Sequence, residues 1–143
     1  MSQPESTSQD ILPAWVDSTH ISGMLRGIER ESLRMQSSGF LSQADHPKAL
    51  GSALTHPHIT TDYSEALMEF ITPPKDSIGK ALDYLKDIHA VVHRQLENDE
   101  KLWPLSMPCM LDDQEENIRL AQYGTSNVGR FKTLYRHGLG VRY

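Results

Sequence analysis

The chain has 143 residues, 38% of them hydrophobic and 23% charged, a formal net charge of −5 and a single cysteine. That length suits one domain around one core, the acidic balance without a basic block argues against nucleic acid, and a lone thiol forbids an internal disulfide and suits a reducing, cytoplasmic setting. No run approaches the roughly 18 apolar residues of a membrane span, and "MSQPESTSQD" lacks the charged and apolar regions of a signal peptide, so a soluble chain is expected.

Residues 1–9 read as a disordered tail, and residues 10–143 as one domain. "QDILPAWVDSTHISGMLRG" holds short apolar groups broken by Pro13 and Gly23, which predicts one or two short helices. "IERESLRM" alternates, with Ile28, Arg30, Ser32 and Arg34 on one side and Glu29, Glu31, Leu33 and Met35 on the other. The period of two predicts a strand, and "QSSGF" a hairpin turn at Gly39. "LSQADHPKALGSALTHPHITTD" is punctuated by Pro47, Gly51 and Pro57 and reads as loop-rich.

"YSEALMEFITPP" is ambiguous. Helix propensity is good, yet alternation would put Leu67, Glu69 and Ile71 on one strand face and Ala66, Met68 and Phe70 on the other. Pro73 and Pro74 end the element either way. Ile78, Leu82, Leu85, Ile88, Val92 and Leu96 then recur at steps of three and four, the stripe of an amphipathic helix with Asp76 as its N-cap. "KLWPLSMPCMLDDQEEN" reads as loop. "TSN" offers capping side chains to a last helix, "VGRFKTLYRHGL", with Phe131, Leu134 and Tyr135 on one side and Gly138 near its C-cap.

Three carboxylates stand out chemically. On a strand Glu29 and Glu31 share a face about 7 Å apart, a spacing for oxygen ligands of neighbouring hard cations. A charged strand face in water is the plainer reading of the same spacing. Glu69 sits among apolar residues, where an ionised carboxylate needs a partner, while on a helix it could simply face solvent. "YGTSNVGR" could receive an anion at a helix N-terminus, although Ser126 or Asn127 as a cap explains it more simply. His46, His56 and His58 cluster in a loop, and His89 and His93 stand four apart on the long helix without an HExxH pattern, so those two are expected to be surface or boundary residues rather than ligands. Cys109 lacks a His/Asp arrangement and reads as a buried, inert thiol.

Together, "GIERESLRM", "HPKALGSALTHPHITTDYSEALMEFITPP", "LWPLSMPC" and "AQYGTSNVGRFKTLYRHGLGVRY" resemble the amino-terminal part of the proteobacterial glutamate–cysteine ligase (gamma-glutamylcysteine synthetase) family, from about Arg26 to Tyr143. The resemblance implies an α+β fold, part of an antiparallel sheet of the glutamine-synthetase-like type with flanking helices. It also implies ATP-dependent joining of the γ-carboxylate of L-glutamate to L-cysteine through a γ-glutamyl phosphate, the first step of glutathione biosynthesis. Mg²⁺ and ATP are the implied cofactor and co-substrate. The family's paired glutamates fall on Glu29 and Glu31, and its third on Glu69, as metal ligands. Its cysteine-pocket residues fall on Tyr63 and Tyr135, with Arg136 close by. The resemblance favours a strand for "ALMEFIT".

Family members run to several hundred residues. The expectation is therefore an amino-terminal part of one catalytic domain, inactive alone and lacking most ATP contacts. The alternative is a non-catalytic binding or regulatory fragment that pairs with a second polypeptide carrying the rest of the sheet.

Overall fold

Strict alternation in "ERESLRM" is realised as strand β1, Glu29–Met35. The computed structural model describes residues 22–112 and 118–140. The expected tail, most of the segment with the expected short helices, and residues 113–117 of the acidic run lie outside them. Three further strands follow: β2 Ile59–Thr61, β3 Leu67–Ile71 and β4 Lys101–Leu102. They form one antiparallel sheet in the order β2-β3-β1-β4. Two helices accompany it, α1 Ile78–Gln95 and α2 Asn127–Gly140. The fold is α+β with a short antiparallel sheet, as expected.

The ambiguity in "ALMEFIT" resolves as a strand because alternation there matches the neighbouring strand. Met68 and Phe70 are both 0% exposed and point to the side covered by α1. They pack with Ile59, Leu50, Ile88, Val92 and Leu102. Tertiary burial of these side chains outweighs the local helix propensity of "SEALMEF". The "QSSGF" hairpin forms as expected: Gln36 N–H donates to the Phe40 carbonyl at 2.8 Å, and Gly39 takes φ +91°. Such a backbone favours glycine.

Two details of the helices differ from expectation. Ser77, not Asp76, caps α1, its hydroxyl accepting the Lys80 N–H at 3.3 Å. Asp76 instead pairs with Lys80 at 2.7 Å across one turn. The inward stripe of α1 runs through Ala81, Ile88 and Val92, while Ile78 and Leu82 are about half exposed. Gly138 lies two residues before Gly140, in the last turn of α2. Its first turn is capped by Ser126, whose hydroxyl accepts the Gly129 N–H at 3.1 Å. That is the plainer of the two readings of "YGTSNVGR".

Arg34, on the side of β1 away from the glutamates, is 0% exposed. Its guanidinium donates to both oxygens of Glu100, at 3.0 and 3.1 Å, and to the carbonyls of Ala44, Asp45 and Glu65. Ser42 also donates to Glu100. Among the described residues no helix is long and apolar enough to cross a membrane.

Candidate functional site

The register of β1 on β3 decides what the sheet presents. Glu31 lies directly opposite Glu69, and Glu29 opposite Ile71. Residues opposite one another in an antiparallel pair share a face, with Cβ atoms about 4.5–5.5 Å apart. Glu29, Glu31 and Glu69 therefore share one face, and Thr60 of β2 joins it opposite Glu69. Helix α1 covers the other face, where Met68 and Phe70 are buried. Far along the acidic face, Leu33 and Met35 pack against Leu41, Ala66, Cys109 and Trp103. The end carrying the glutamates stays open, with Glu29 and Glu31 exposed and Glu69 half-buried.

Like charges set opposite each other in a sheet are unfavourable. The cost is visible at Glu69, whose carboxyl is raised above its usual value by burial first, then by Asp62, Glu29 and Glu31, with Arg136 offsetting part of it. Among the described residues, no group of three or more histidine, cysteine, aspartate or glutamate side chains is arranged to hold a metal ion. The three glutamates share a face without forming a complete cation cage.

The β2–β3 connection and α2 complete the surroundings. Arg136 donates to Asp62 Oδ1 at 3.2 Å. The Tyr63 hydroxyl donates to the Arg136 carbonyl at 3.5 Å. Tyr63 thus meets the backbone of Arg136, whose charge acts on Glu69. Tyr135 is 61% exposed, and among the described residues no hydrogen bond or ring contact brings it into the group.

Asp62 and Tyr123 escaped the sequence reading. Asp62 precedes Tyr63 in "ITTDY", but a lone aspartate after a strand reads as a turn residue. Tyr123 is 5% exposed, and its hydroxyl reaches the Thr61 carbonyl at 2.6 Å. Only the topology brings it to β2.

A cleft of about 410 Å³ adjoins Glu31, lined by Leu33, Leu67, Leu105, Met107 and Pro108 among others. Two of the loop histidines serve the backbone: His56 Nδ1 accepts the N–H groups of His58 and Ile59 at 3.1 and 2.9 Å, and His58 Nδ1 lies 3.0 Å from the Ile71 carbonyl. On α1, His89 lies against the Phe70 ring at 4.8 Å. Burial pushes the Cys109 thiol up, away from thiolate reactivity.

Comparison with known proteins bears on the whole chain. The family model described as glutamate-cysteine ligase matches residues 11–143. A glutamate–cysteine ligase of Photorhabdus laumondii is 56% identical over 132 residues, 91% of this chain and 25% of the relative. One from Sodalis glossinidius is 58% identical over 123 residues, 86% of this chain and 23% of the relative. The crystal structure of the Francisella tularensis glutamate–cysteine ligase in complex with AMP superposes with a TM-score of 0.80 at 45% identity, over 85% of this chain and 24% of that one. The chain spans about a quarter of the length of these relatives. A match of this extent along the chain places it in the glutamate–cysteine ligase family.

Proposed function

We propose that this chain supplies one wall of the active site of an ATP-dependent ligase. That ligase joins the γ-carboxylate of L-glutamate to the amine of L-cysteine, the first step of glutathione biosynthesis. In this reading a carboxylate oxygen of glutamate takes the terminal phosphoryl group of ATP, releasing ADP. The cysteine amine then attacks the acyl carbon and phosphate leaves. The carrying observation is the register that sets Glu31 against Glu69, with Glu29 on the same open face.

Glu29, Glu31 and Glu69 would hold Mg²⁺. Mutual repulsion at Glu69 fits a cation there. Mg²⁺ takes one or two carboxylates and completes its sphere with water and phosphate oxygens, which suits carboxylates spread over an open sheet face. When bound, the cation would neutralise phosphate charge during phosphoryl transfer. Asp62 stands beside Glu69 as a fourth carboxylate, held by Arg136. Tyr63, Tyr135 and Arg136 would line the pocket for the cysteine substrate. The AMP bound by the Francisella relative supports nucleotide as co-substrate. The remaining ligands and most ATP contacts would come from the three quarters of the relatives' length that this chain does not span. A reducing, cytoplasmic setting accords with the one buried thiol.

The test joins this chain to the remaining three quarters of the Photorhabdus relative. With glutamate, cysteine, ATP and Mg²⁺, the fusion is expected to release ADP and the 143-residue chain alone to release none. Glu29→Gln or Glu69→Gln in the fusion should abolish Mg²⁺-dependent turnover. Full activity in either variant would remove that residue from the ligand set. Turnover by the chain alone would overturn the half-site reading, and an inactive fusion would favour a binding or regulatory fragment.

A further inference from the structure

Among the described residues, the cation that acts on Glu69 comes from a helix that no strand pairing holds. Helix α2 follows a single segment, residues 118–126, and Arg136 stands more than two turns along it. Its guanidinium nevertheless meets Asp62, and its Nη1 is buried with no partner.

The contacts around Tyr123 explain the placement. Its hydroxyl donates to the Thr61 carbonyl at 2.6 Å and lies 3.1 Å from the Asp62 carbonyl, so the ring is pinned to the strand end that carries Asp62. Two cations one helical turn apart, Lys132 and Arg136, rest on that ring, 4.8 and 5.1 Å from its centroid. Both distances lie within cation–π range. The segment bearing Tyr123 is tied down independently. Glu65, 3% exposed, accepts the backbone N–H groups of His46 at 2.8 Å and Gln122 at 2.7 Å. Ala121 N–H donates to the Tyr63 carbonyl at 3.1 Å. The tyrosine thus touches the strand end through its oxygen and the helix through its ring.

We infer that Tyr123 is the positioning residue for Arg136: it fixes the guanidinium beside Asp62 and Glu69, on the side where the amine substrate would enter. The functional meaning rests on the ligase reading, whereas the placement rests on the contacts alone.

NMR of the Arg136 guanidinium in the 143-residue chain tests the placement, since Asp62 on one side and the Tyr123 ring on the other hold it. The parent should give a slowly exchanging Arg136 Nε–H signal with nuclear Overhauser contacts to the Tyr123 ring. In Tyr123→Leu its exchange with water should quicken about tenfold or more. The buried Arg34 guanidinium signal, in contact with Glu100 rather than with Tyr123, reports that the fold is intact. Unchanged Arg136 exchange with the Arg34 signal present overturns the inference. Where Tyr123→Leu loses the Arg34 signal, Tyr123→Phe decides by the same rule, since it removes the pin to Thr61 and keeps the ring. In the active fusion, Tyr123→Leu should raise KM for cysteine about tenfold with kcat held. A fall in kcat at constant KM would count against it. An inactive fusion would remove the ligase reading and leave the Arg136 signal to decide the placement.

Discussion

Glu69 carries a thermodynamic signature that can be read without any substrate. Its carboxyl is raised in the folded chain by burial and by three neighbouring acids, so the folded state holds this proton more tightly than the unfolded chain does. Well below the ordinary carboxyl value both states are protonated and the difference vanishes. As pH rises through the raised value, the folded state alone bears a penalised charge, and stability falls. Glu69→Gln should therefore melt at a higher temperature than the parent at pH 7, and lose that advantage below about pH 4. Equal melting temperatures at pH 7 would mean that the face tolerates the charge without cost. A residue that destabilises the fold where it stands is the usual mark of a site shaped for something else.

At the scale of elements, α2 is set by one close approach. Gly129 lies in its first turn, and a Cβ there would run into the carbonyl oxygens of Tyr123 and Gly124. Alanine in place of glycine normally stabilises a helix by about 1 kcal/mol. At Gly129 the sign should invert, with Gly129→Ala losing about 1–3 kcal/mol in urea denaturation as the helix is pushed off Tyr123. A gain in stability would show that α2 can slide freely.

The elements also show what the sequence made legible. Alternation in "ERESLRM" was enough to put Glu29 and Glu31 on one face, because a period of two is a geometric property of the strand, whereas "ALMEFIT" stayed open between helix and strand on local grounds, and only the pairing register sets Glu69 opposite Glu31. The cap of α1 was misplaced by one residue, since Asp76 and Ser77 are both capping types and only the backbone chooses between them. The pairings of Asp62 with Arg136 and with Tyr123 join residues more than sixty positions apart. No local pattern encodes such contacts. Arg34 illustrates the same limit, because its burial depends on Glu100, sixty-six residues away.

On the scale of the whole molecule, that buried pair is the principal polar tie. One guanidinium joins β1, the loop at Ala44 and Asp45, the approach to β3 at Glu65, and the turn before β4 at Glu100. Removing one member of a buried pair leaves an uncompensated charge and costs about 3–5 kcal/mol. Glu100→Ala should lose that amount in urea denaturation, while Arg34→Met combined with Glu100→Leu should recover much of it. A loss under about 1 kcal/mol in the single variant would mean that water reaches Arg34. The tie works beside a modest core, and α2 leaves Val128, Phe131 and Leu134 well exposed. The edge strands are only three and two residues long, and so offer little unpaired backbone to other chains.

The register of β1 on β3 has one more consequence. In both strands even-numbered residues face the α1 side and odd-numbered residues the acidic side. Mutation at Met68 or Phe70 bears on packing against α1, and mutation at Glu29, Glu31 or Glu69 on the charge of the open face. The two faces can therefore drift under separate selection, with the backbone between them as the partition.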